Sequence, residues 1–112
     1  MSLVEGLLRE TIEKFNKKVS EDPNLANELK NVRKMLQVEV TDGKTYHFLL
    51  ENAHVGNLED GPAENPDIRI VTSAETLTQL RSGELRPMKA YATRKLQVKG
   101  SIEDLLRLRK FF

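Results

Sequence analysis

The segment LQVEVTDGKTYHFLL, residues 36–50, decides the fold. Leu36, Val38 and Val40 alternate with Gln37, Glu39 and Thr41, the period-two pattern of a strand with one buried face. Asp42-Gly43 is a hairpin turn signal. Tyr46, Phe48 and Leu50 then share one face of the returning strand. Leu49 is apolar on the opposite face, so part of that face is expected to be covered.

Working outward, the period on either side is helical. Leu3, Val4, Leu7, Leu8, Ile12, Phe15 and Val19 follow the i, i+3, i+4 spacing of a core-facing stripe, which predicts a helix over residues 3–19. Asp22 as N-cap with Pro23 at the first helical position predicts a second, short helix with Leu25, Leu29 and Val32 inward. Beyond the hairpin, a turn at 51–54 leads to a weaker strand over 55–58. After the loop marked by Gly61-Pro62 and Asn65-Pro66, residues 67–72 alternate as a fourth strand. Ser73 caps a helix carrying Leu77 and Leu80 that ends at Ser82-Gly83. Pro87 opens another helix with Met88, Tyr91 and Ala92. Leu96, Val98 and Gly100 form a short fifth strand, and Ser101 caps a last, strongly apolar helix. Hairpin strands flanked by helices make an α+β class rather than a parallel α/β sheet.

The 112 residues suit one domain, 1–112, with one core and a modest surplus for a cavity. At 38% hydrophobic and 31% charged, the balance is that of a soluble globular chain rather than a disordered one. The absence of cysteine excludes disulfides, thiol catalysis and thiolate metal sites, and favours a cytoplasmic location. No apolar run reaches the roughly 18–20 residues of a membrane span, and the N-terminus lacks the pattern of a signal peptide. Charge is uneven. Residues 51–80 carry six acids and one base, whereas residues 81–112 carry nine bases and three acids. That basic third is either a solvated face or a face for transient contact with an anionic membrane surface. No nucleic-acid motif accompanies it.

Nothing in the sequence assembles a catalytic site. The elbow, phosphate-loop and dinucleotide motifs are absent. His47 points to the opposite strand face from Tyr46 and Phe48, and a turn centred at 52–53 places it opposite residue 58 rather than His54, which argues against a two-histidine metal site. Glu59 and Asp60 are adjacent loop acids, and Glu103 and Asp104 are explained by the first turn of a helix. The expectation is therefore no catalytic residue, no metal and no cofactor. The remaining anomaly is apolar: residues 77–112 concentrate leucines, Met88, Tyr91 and a Phe-Phe end, in a pattern that suits either plain core or a pocket wall.

From residue 36 onward the chain resembles the sterol carrier protein type 2 family. The resemblance runs through LQVEVTDGK (36–44), the 46–50 strand, PDIRIVT (66–72) and ETL (75–77). It is strongest at SGELRPMKAY (82–91) followed by KLQVKG (95–100) and the leucine-rich end. It implies a five-stranded, mainly antiparallel, twisted sheet with helices covering one face and an apolar tunnel between them for a lipid or fatty-acyl ligand: fatty acid, acyl-CoA, phospholipid or sterol. It also implies binding and transfer without catalysis. Strand parity and helix faces put Phe15, Phe48, Leu50, Ile70, Leu77 and Leu80 on the cavity wall, with Met88, Tyr91, Leu105, Leu108 and Phe112. Arg81, Arg86 and Arg94 are the candidates for holding an anionic head group.

Two positions depart from the family pattern. Arg94 stands where the family usually has Gly, which strains the chain if that turn needs a positive φ. Tyr91-Ala92 stands where Phe-Met is usual; it adds a hydroxyl that needs a partner if buried, and leaves space. A chain of about 16 methylenes gains roughly 13 kcal/mol gross on leaving water, less several kcal/mol for association and ordering. A monomer or weak dimer is expected. The competing readings are an interaction module whose apolar C-terminal helix docks on a partner, and a small acyl-processing enzyme.

Overall fold

The computed structural model of the chain describes residues 3–109, with side chains through residue 107. The elements are α1 (Leu3–Glu21), α2 (Pro23–Leu29), β1 (Arg33–Val40), β2 (Thr45–Glu51), β3 (His54–Val55), β4 (Glu59–Asp60), β5 (Ile68–Thr72), α3 (Ala74–Ser82), α4 (Pro87–Ala92), β6 (Leu96–Lys99) and α5 (Ile102–Arg109). The sheet runs β3-β2-β1-β5-β6, with β4 also on β2. β1 and β5 are parallel, and every other pair is antiparallel. The α+β class is as expected from the hairpin strands and helices, and the mainly antiparallel sheet is the one the resemblance implied, here with six strands because the expected third strand is split in two.

The central strand sets the parity of the sheet. Val38 lies opposite Tyr46 on one side and Ile70 on the other, and Ile70 in turn pairs with Val98. Leu36, Val38, Val40 and Tyr46 are buried on this face, against the helices. Asp67 starts the parallel pair: its carboxylate accepts from the Met35 N–H at 2.8 Å, and its own N–H donates to the Met35 carbonyl at 2.8 Å. The Asp42 carboxylate accepts from Ala74 N–H at 2.9 Å, which ties the β1–β2 turn to the start of α3.

α1 reaches the sheet edge through Asn16. Its amide donates to Val55 O at 2.9 Å and accepts from Val55 N–H at 2.8 Å, so a side chain satisfies an edge-strand backbone pair. The core has two parts. Leu8, Val38, Val40, Tyr46 and Leu58 form one, joined by Ile12; Val19, Leu25, Leu29 and Val32 form the other, joined by Phe15. Leu3, expected on the same stripe, is 72% exposed because it lies beyond the sheet-covered part of the helix.

The expected third strand over 55–58 is replaced by two short pieces. β3 pairs Leu50 with Val55, but β4 pairs His47 with Glu59 rather than residue 58, a slip of one position. The extra residue lets Leu58 turn inward, where it is buried. The 61–66 loop then returns over the open sheet face. His47 Nδ1–H donates to Gly61 O at 2.8 Å, and Gln37 Oε1 accepts from Ala63 N–H at 2.8 Å. Gln37 also donates to Glu39, which accepts from Arg69 Nε at 2.6 Å.

α4 ends in a Schellman motif. Arg94 N–H donates to Tyr91 O and Lys95 N–H to Ala90 O, with Arg94 at φ +62°. The turn does need a left-handed residue, and a side chain is strained there. Arg94→Gly is expected to stabilise the fold by about 1 kcal/mol, raising Tm by roughly 3–6 °C in thermal unfolding. An unchanged or lower Tm contradicts the strain.

Candidate functional site

α1, α3 and the helix-facing side of the sheet do not close on one another. They leave a cavity of ≈ 310 Å³. Leu7, Leu8 and Thr11 of α1 form one wall, and Leu77, Leu80 and Arg81 of α3 form another. The floor is Val38, Phe48 and Ile70 of the central strands, with Leu96 and Val98 of β6. The sheet residues belong to the alternating positions that pair across the strands, so the floor follows from register. The helix residues come from i, i+1, i+4 positions of α1 and i, i+3, i+4 positions of α3, which share one helical face in each case.

Among the described residues, only Thr11 and Arg81 bring polar groups to this lining. The Thr11 hydroxyl donates to Leu7 O at 2.8 Å, so it presents no unmet hydrogen-bonding demand. Arg81 is engaged at the rim. Its Nη2 lies 2.6 Å from Glu10 Oε1 and its Nε lies 3.0 Å from Glu10 Oε2, a bidentate pair that bridges α3 to α1. Lys14 Nζ approaches the same carboxylate at 3.4 Å. The hydrogen bonds from Arg81 hold the Glu10 carboxyl below its ordinary value of 4.5. The clasp is therefore fully present above the ordinary carboxyl pKa and is lost as pH falls through the lowered value.

Among the expected site residues, Phe48, Ile70, Leu77, Leu80 and Arg81 come together here. The others lie elsewhere. Phe15 packs with Leu25 and Leu29 in the second core cluster. Leu50 borders a much smaller void of ≈ 30 Å³ with Leu29, Val32, Leu36 and Ile68 at the other end of the same face, with room for about one water. Met88 and Tyr91 are 49% and 47% exposed on α4 and do not line this cavity, and the Tyr91 hydroxyl is not among buried groups left without a partner in the described residues. Leu105 is half-buried on α5 and lines neither void. Arg86 is exposed at the N-cap position of α4, and Arg94 shares a shallow depression with Tyr91 and Lys99. Leu108 and Phe112 lie outside the residues whose side chains are described.

Among the described residues, sequence reasoning missed six that line the cavity. Leu7 and Leu8 were legible as core stripe but not as cavity wall, Val38, Leu96 and Val98 only as strand, and Thr11 not at all. It also missed Glu10, whose separation of 71 residues from Arg81 leaves no local signal. Asp104 was explained as a helix-dipole acid alone. It is in fact buried, 3.0 Å from Lys34 Nζ and 3.3 Å from Arg107 Nη1, and so ties α5 to the sheet. The available signal was Lys34, the one charged residue in phase with Leu36, Val38 and Val40. The two histidines sit opposite acids, His47 across from Glu59 and His54 across from Glu51.

Comparison with known proteins fits this architecture. The sequence profile described as "SCP-2 sterol transfer family" matches residues 12–112. Among curated proteins no sequence match is found. The crystal structure of sterol carrier protein 2 like 2 from Aedes aegypti is similar with a TM-score of 0.65 at 17% identity, covering 95% of this chain and 96% of that one. The solution structure of the palmitated form of that mosquito protein gives 0.63 at 18% identity, covering 99% and 94%. The stereoselective inverting sec-alkylsulfatase Pisa1 from Pseudomonas sp. gives 0.58 at 15% identity, but 73% of this chain spans only 13% of that enzyme. At these identities the structural likeness speaks to fold, and the profile match speaks to family. The chain belongs to the SCP-2 sterol transfer family, a family of lipid-binding and lipid-transfer domains.

Proposed function

We propose that this chain is a non-catalytic carrier for a long apolar ligand, whose hydrocarbon part sits in the cavity between α1, α3 and the sheet. The observation that carries the reading is the lining: a wall of Leu, Val, Ile and Phe side chains with its polar groups already satisfied at the rim. Such a cavity rewards burial of methylenes and offers no arrangement of nucleophile, base and electrophilic support. The palmitated state of the mosquito relative supports a fatty-acyl chain as the first ligand class to test.

Volume limits the affinity. At ≈ 310 Å³ the cavity lies at the low end of the roughly 300–1,000 Å³ typical of ligand pockets. Burying about eight methylenes gains on the order of 6 kcal/mol gross, and association takes several kcal/mol of that. Tight binding of a full-length acyl chain thus requires α1 and α3 to separate further, and the Glu10–Arg81 clasp is what joins them at the rim. A carboxylate-ended ligand has a second interaction here, because it competes with Glu10 for Arg81.

Titration of delipidated protein with a fluorescent long-chain fatty acid tests the reading. Saturable one-to-one uptake is expected, with Leu80→Glu lowering affinity at least tenfold while far-ultraviolet circular dichroism is unchanged. Absence of uptake by folded protein contradicts the carrier and favours an interaction module.

Glu10→Gln is expected to tighten binding of a fatty acid on the order of two- to fivefold, the scale of an exposed ion pair, with a smaller change for the matching fatty alcohol. Equal changes for acid and alcohol exclude competition for Arg81.

A further inference from the structure

We infer that Phe15 is the closed end of the cavity and sets the length of acyl chain the protein takes. This deepens the carrier reading above and rests on it. The apolar floor of the sheet does not stop at the cavity. Across the strands, Val38 and Ile70 form one row, and Phe48, Leu36 and Ile68 form the next. Phe48 lines the cavity, whereas Leu36 and Ile68 line the void of ≈ 30 Å³. The two spaces therefore border the same row, and successive rows on one face are only about 7 Å apart. The charged groups in the lining of the void satisfy one another: Lys34 Nζ and Arg107 Nη1 lie 3.0 Å and 3.3 Å from the buried Asp104 carboxylate. What remains of that lining is apolar and suits the methyl end of a chain.

The separation between the two spaces comes from the helix layer. Leu7, Leu8 and Thr11 carry the α1 wall of the cavity. The next position on that face is Phe15, one turn beyond Thr11 and the only aromatic residue of α1. Phe15 is half-buried and lines neither space. It packs instead on the cluster that holds Leu29 and Val32, as does Leu50. Leu29, Val32 and Leu50 all border the void. Phe15 thus has the cavity wall on one side along its helix and the side chains of the void on the other. An acyl chain whose anionic end lies at Arg81 runs its methyl end toward that ring and stops there. Removing the ring joins the cavity to the void over the shared row of the floor, and a longer chain then fits without further separation of α1 from α3.

Competition titration of the delipidated full chain tests it, with the saturated acids from octanoate to stearate displacing a fluorescent fatty acid. Each buried methylene is worth about fourfold in affinity. In the wild type, affinity is expected to climb with chain length and to level off once the cavity is full. In Phe15→Ala the climb is expected to continue over about two further carbons, a gain of roughly tenfold or more for the longest acids relative to the shortest. Phe15→Leu, which disturbs packing less, is expected to move the plateau the same way by a smaller step, and it carries the test if the alanine variant does not fold. Adding Leu50→Phe to Phe15→Ala refills the void and is expected to return the plateau to the wild-type length. Leu58→Ala is the control for a loosened core, because Leu58 is buried in the first cluster and lines neither space; it is expected to leave the plateau in place. Circular dichroism verifies folding of each variant. A plateau unmoved in the folded Phe15 variants, or moved equally by Leu58→Ala, overturns the inference and leaves the carrier reading intact. No uptake of any acid by the folded wild type overturns both.

Discussion

The parallel pairing of β1 with β5 is the constraint on which the rest of the structure depends. β1 sits at the centre, so its register fixes which residues of the neighbouring strands face the helices. Val38 between Tyr46 and Ile70, and Leu36 between Phe48 and Ile68, define that face. A slip of one residue reverses every side chain. It would place Gln37 and Glu39 against the helices and expose the valines. The Asp67 hydrogen bonds with Met35 lock the start of the parallel pair, and the Gln37–Glu39–Arg69 network holds the opposite face. Each of these polar groups belongs where it is only in the observed register.

From that face the cavity follows by incomplete closure. α1 has 19 residues and spans about 28 Å at 1.5 Å per residue, long enough to serve two core clusters. Its first half packs with Val38, Val40 and Tyr46, its second half with Leu25, Leu29 and Val32. α3 is short, with nine residues, and meets α1 near the first cluster. Between them the sheet floor is left partly uncovered. The Glu10–Arg81 pair crosses the rim of that opening, and such an exposed pair is a weak tie that a ligand or a small helix movement can replace.

Much of this was legible because strand parity has a fixed period. Alternation and helical spacing placed Phe48 and Ile70 on the inward sheet face and Leu77 and Leu80 on the inward helix face, while the cavity between them was implied by the family resemblance. The misplacements have physical causes. Phe15 shares the stripe of Leu8 and Ile12, but spacing along a long helix does not say which of two clusters a residue joins. Met88 and Tyr91 lie in a six-residue helix, too short for periodicity to separate inside from outside. The slip between Val55 and Glu59 has no marker in the sequence, because a bulge is set by which side chain the core admits. Arg94 was readable in both directions: a side chain in a turn that favours glycine is strain, and the Schellman hydrogen bonds at φ +62° show why the turn needs that conformation.

The central claim is that an acyl chain lies between α1, α3 and the sheet. Isotope-filtered nuclear Overhauser spectroscopy of the labelled protein with ¹³C-palmitate addresses it most directly. The account predicts contacts from the acyl methylenes to Leu7, Leu80, Ile70 and Phe48, with none to Leu25 or Val32 of the second cluster. Contacts confined to Met88 and Tyr91 on the outer surface, with none to the cavity side chains, would contradict it.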